Sequence, residues 1–145
     1  MAVTLTAAGC GSSSSSSPSS SPAAWRTKVN SICASNNAKV TAQPASETQS
    51  VAGLSRLYNL QKQAVAQVEA VTPPDSLKNQ AQTWLNTVRQ SEANAGQLLN
   101  GLQSGNRAQL QPLLARAQTL SAQEKAQANG LGLNSCAANA QPSAR

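Results

Sequence analysis

The chain has no histidine and no phenylalanine, and among its 145 residues are only two tryptophans, one tyrosine and five acidic side chains, against eleven Lys or Arg. Without imidazole there is no general base or proton shuttle near neutral pH, and no nitrogen ligand for haem, zinc or copper. The acids Glu47, Glu69, Asp75, Glu92 and Glu124 never fall three or four residues apart, so no helical turn presents a carboxylate pair. The Glu-x-x-His motif of di-metal bundles is absent as well. Neither a Gly-x-Ser-x-Gly elbow nor a Gly-rich phosphate loop occurs, and although the composition permits a Ser-Lys dyad, nothing in the sequence favours one. The expectation is a non-catalytic protein with no catalytic residue, no metal site and no cofactor.

A net charge of +6 raises the question of nucleic acid. The charges Arg26, Lys28, Lys39, Arg56, Lys62, Lys78, Arg89, Arg107, Arg116 and Lys125 are spread along the chain without a cluster of four, and stacking aromatics are scarce. That distribution describes a solvated helical surface and excludes a nucleic-acid partner.

What is abundant is Ala, Gln and Leu, interrupted by turn residues about every 25 positions, a pattern of helices and not of a sheet. Ser21 and Pro22 predict the cap and first turn of a helix running to about Ala42, with Trp25, Val29, Ile32, Cys33 and Val40 near one face. Ser46 and Gln49 have the form of a capping box for a second helix carrying Val51, Leu54, Leu57, Tyr58, Ala64, Val65 and Val68. Thr72-Pro73-Pro74-Asp75 predicts a third, whose seam Leu77, Ala81, Trp84, Val88, Ser91, Ala95, Leu98 and Leu102 alternates steps of four and three. Gly101 to Gly105 should end it. Asn106 with Gln109 opens a fourth, in which Pro112 marks a kink or the effective start and Gly130 fits a left-handed cap. Four amphipathic helices with short turns predict an all-α, antiparallel up-down-up-down four-helix bundle. Trp25, Tyr58 and Trp84 fall at core spacing, and a core of Ala and aliphatics is expected to draw the helices close and leave little cavity. Glu92 and Glu124, at the edges of apolar stripes, are expected to reach solvent or pair with Arg89 or Lys125.

The N-terminus has a different character. Ala7-Ala8-Gly9-Cys10 and the serine run that follows resemble the lipobox and spacer of small actinobacterial exported lipoproteins. The resemblance implies cleavage before Cys10 and attachment of lipid to its thiol, which would anchor the protein to the outer side of the cell membrane. No Arg or Lys precedes the short apolar stretch, so the expected translation start lies upstream of Met1. The implied organisation is a partial signal segment over 1–9, an anchor and disordered Ser/Pro-rich linker over 10–23, the bundle over 24–137 and a disordered tail over 138–145. A linker of that length reaches roughly 20 Å, which keeps the domain close to the headgroups. There a basic domain would gain weak, salt-sensitive attraction to anionic lipid or wall polymer.

If Cys10 carries lipid and the chain is exported, Cys33 and Cys136 are left as a pair in an oxidising compartment and a disulfide is the natural expectation. The alternatives are two buried thiols or a two-thiolate metal site, the latter short of ligands. The functional expectation is a membrane-anchored binding or structural module of the envelope. The alternative is a sensor or carrier that holds a small apolar ligand between its helices.

Overall fold

Ser21 opens the part of the chain described by the computed structural model, residues 21–139. The segment with Cys10, most of the serine-rich linker and the tail from 140 lie outside the described residues. The Ser21 hydroxyl accepts a hydrogen bond from the Ala24 N–H at 3.2 Å, and Pro22 follows where its missing N–H has no helical partner. Helix α1 (Pro22–Thr41) therefore begins as its sequence predicts.

The next two helix starts differ from expectation. Ser46 and Gln49 do not open the second long helix: Ala45–Thr48 forms a single turn, α2, and α3 (Val51–Glu69) starts from Ser50, whose hydroxyl accepts from the Gly53 N–H at 3.0 Å. Ser50 is extended, with φ −93° and ψ 153°, so it redirects the chain after α2. Thr72 does not cap a helix starting at Pro73 either. Pro74 keeps the residue before it out of the helical region, and helical structure begins only beyond Pro74, as a 3-10 turn over Asp75–Leu77 that leads into α4 (Lys78–Gln103).

Helix α5 (Arg107–Leu131) passes through Pro112, which removes one bond to the Ala108 carbonyl without ending the helix. Both α4 and α5 close with a glycine in the left-handed region, Gly105 at φ +70° and Gly132 at φ +75°. The N–H groups of Asn106 and Leu133 reach back to the carbonyls of Gly101 and Ala128, at 3.0 and 2.8 Å. The expected cap at Gly130 is thus displaced to Gly132. Closure at Gly132 sets Leu133, fully buried, with Ala128 in the core, whereas closure at Gly130 would have paired Leu131 with the exposed Ala126.

The two glycines should respond oppositely to alanine. At Gly132 a Cβ would meet Arg26 Cδ and Nε at 3.3 Å in the left-handed region, so Gly132→Ala is expected to cost about 1–2 kcal/mol. At Gly130 a Cβ meets nothing within 4 Å, and Gly130→Ala should stabilise by up to about 1 kcal/mol. Urea unfolding of the two variants checks both signs.

Successive long helices run antiparallel. The Trp25 Nε1–H donates to the Val71 carbonyl at 3.3 Å, which brings the start of α1 to the end of α3. Tyr58 lies beside Gly96 and Glu69 beside Arg89, pairing α3 with α4. Leu110 against Gly101, and the Asn94 amide donating to the Leu113 carbonyl at 3.0 Å, pair α4 with α5. The described chain is an all-α, up-down-up-down bundle with no strand among its described residues. A last helix, α6 (Asn134–Asn139), extends two residues past the expected boundary and packs on α1 and α5.

Cys33 and Cys136 form a disulfide across α1 and α6, with Cα atoms 5.0 Å apart. Side chains of α1 reinforce the junction. Arg26 Nε donates to the Leu131 carbonyl at 2.7 Å, Asn30 Nδ2 to the Gly132 carbonyl at 3.1 Å and Asn37 Nδ2 to the Ser135 carbonyl at 3.0 Å. Asn30 Oδ1 accepts from the Ser135 N–H. The best-buried residues, Trp25, Val29, Ala81, Ala128 and Leu133, gather at this end.

Candidate binding cleft

Burial along the α4 seam falls from one end of the bundle to the other. Leu77, Ala81 and Trp84 are buried, Val88, Ala95 and Leu98 are half-buried, and Leu102 is 39 % exposed. The unfilled interior that causes this gradient is a cleft of about 530 Å³ between α1, α3, α4 and α5. That volume lies within the roughly 300–1,000 Å³ of small-molecule sites. Its closed end is made by Cys33, Cys136, Val65, Val68 and Trp84, and its open end includes Leu54, Leu102 and the half-exposed Leu114.

A cleft of this size corrects the expectation that an Ala-rich core leaves little volume. Small residues do bring α4 and α5 together, but α5 meets α1 chiefly through α6. The aliphatic side chains, with no Phe among them, do not fill the remaining gap. The three aromatics have different places. Trp25 is core and does not line the cleft, Trp84 is core and forms part of its closed end, and Tyr58 lines the wall. Gly96 permits that position, since a Cβ there would come within 3.0 Å of the Tyr58 hydroxyl.

Glu124 also departs from expectation. It does not pair with Arg89, whose Nε donates to Glu69 Oε1 at 2.6 Å and whose Nη1 donates to Asn86. Glu124 lines the cleft instead, with Oε1 buried and without a partner, while its carboxyl has a side-chain hydrogen bond to Ser91. Its register with Leu113, Ala117 and Leu120 is the signal that turns it inward. Burial raises its pKa above the ordinary glutamate value, and the Ser91 hydrogen bond opposes that rise. Asn94, 2 % exposed, is a buried polar residue that the seam pattern did not single out.

The raised pKa gives stability a definite sign with pH. As pH rises from 4.5, Glu124 ionises first in the unfolded chain, so its contribution falls until the buried carboxyl ionises too. Glu124→Gln removes that decline. Its melting temperature relative to wild type is expected to rise as pH increases above 4.5 and to level off once the native carboxyl is ionised.

Among the described residues no three of His, Cys, Asp and Glu gather as metal ligands, and no helix is long and apolar enough to cross a membrane. Cys33 and Cys136 are joined at the closed end of the cleft, and Cys10 lies outside the described residues. No protein-family model matches the chain, and no curated protein or solved structure is significantly similar to it.

Proposed function

We propose that this domain binds a small, largely apolar molecule between its helices, as a non-catalytic sensor or carrier held on the outer side of a membrane by lipid on Cys10. The observation that carries the reading is the cleft: about 530 Å³ walled mainly by Leu, Val and Ala side chains, with Asn36, Asn37, Gln61 and Glu124 as its polar points, and open to solvent. A filled interior would have favoured a purely structural module. The Cys33–Cys136 disulfide supports the exported half of the reading, because such bonds persist in oxidising compartments. The lipobox-like Ala7-Ala8-Gly9-Cys10 and the spacer after it support the anchor. A charge of +6 adds attraction to anionic headgroups or wall polymer.

Ser21 lies at the end of the bundle opposite the cleft mouth, since α1 begins beside the end of α3 and reaches the cleft's open half near Val40. A tether leaving from Ser21 would keep the mouth away from the anchor point. Metabolic labelling of the full gene product with a fatty-acid probe tests the anchor. Label that disappears in Cys10→Ser supports it, and label that is absent from wild type or unchanged in the variant overturns it.

A further inference from the structure

The buried side-chain atoms found without partners among the described residues are all acceptors: Asn94 Oδ1, Glu124 Oε1 and Gln127 Oε1. Glu124 and Gln127 are one turn apart on α5, and Glu124 lines the cleft. Asn94 and Gln127 do not line the cleft, and Glu124 already has the Ser91 side chain as a hydrogen-bond partner; what the wall lacks beside its carboxyl is a cation. Among the described residues no Lys or Arg lines the cleft, and Tyr58 is the one other ionisable group on its wall, the two cysteines being joined. The cation beside Tyr58 is Lys62, an exposed residue whose ammonium stands 5.7 Å from the Tyr58 ring on α3.

We propose that the molecule taken by the cleft is a single-chain amphiphile with a primary ammonium head, which donates to the Glu124 carboxylate while its hydrocarbon chain runs along Leu98 and Leu102 toward the mouth. The proposal rests on the cleft being a binding site. An ammonium supplies three N–H donors and the charge that complements the wall's one carboxylate. A carboxylate head would set like charge against Glu124 in surroundings of low dielectric, and a neutral alcohol supplies one donor and no charge. The ion pair would also reverse the effect of burial on Glu124, drawing its pKa down as the ligand enters.

Calorimetric titration of the full chain with decylamine, decanol and decanoate, at about pH 8 where the amine stays protonated like a lysine, separates the alternatives. Decylamine is expected to bind at least about tenfold more tightly than decanol, with decanoate weakest. Glu124→Gln should bring decylamine to the level of decanol, and a cooperative melting transition with the helical circular dichroism of wild type shows that the variant is folded. Decylamine no tighter than decanol in wild type, or a preference that survives in Glu124→Gln, overturns the ammonium assignment alone. If none of the three binds, the cleft reading falls and the assignment falls with it.

Discussion

Replacing Cys33 and Cys136 together by alanine is expected to lower the melting temperature by about 15–25 °C. The two residues are 103 positions apart, and cross-linking across about 100 residues removes chain entropy worth roughly 4–5 kcal/mol from the unfolded state. Both cysteines are buried, so the substitution also trims packing on each side of the junction. The junction itself survives, because Arg26, Asn30 and Asn37 still bind the backbone of residues 131–135. The reduced wild-type protein should melt near the double variant. Thermal unfolding followed by circular dichroism with and without reductant measures both. A shift below about 5 °C would mean that native strain cancels the entropic gain.

Trp25→Ala should be the most damaging single substitution at a tryptophan, at about 3–5 kcal/mol. Trp25 is 1 % exposed within the core cluster that joins α1 to Ala128, Leu131 and Leu133. Its removal leaves a cavity and strips the Val71 carbonyl of the indole N–H that now bonds it. Trp25→Phe keeps most of the ring and should cost less, and Leu114→Ala, at a residue 51 % exposed, should stay within about 0.5 kcal/mol. Urea denaturation of the three variants checks the order. A Leu114→Ala cost equal to that of Trp25→Ala would contradict the placement of the core at the disulfide end.

Much of this fold is readable in the residues. The Ser21-Pro22 start, the apolar face from Trp25 to Cys33, the seam from Leu77 to Trp84 and the close of α4 near Gly105 are local signals, and each is realised. The errors occur where one local signal competes with another. Pro74 overrides the Thr72-Pro73 start by restricting the residue before it, and Gly132 displaces Gly130 because the better-buried partner lies two residues on. The cleft was beyond local reading for a different reason. Whether Leu98 and Leu102 meet a facing helix or empty space depends on how closely α5 approaches α1, a distance that periodicity does not encode. Glu124 shows both sides of this: its register turns it inward, but that it borders an unfilled cleft follows from the spacing of the helices.

The most direct test of the central claim is a titration of decanol into wild type and Ala95→Phe, followed by tryptophan emission. Ala95 lines the cleft and is half-buried, so a phenyl ring there occupies the space a ligand would take. Trp84 stands at the closed end and reports on its contents, while Trp25 lies in the core as a constant background. A saturable emission change is expected in wild type and is lost in Ala95→Phe at an undiminished melting temperature. No saturable response in wild type, or the same response in both proteins, would contradict it.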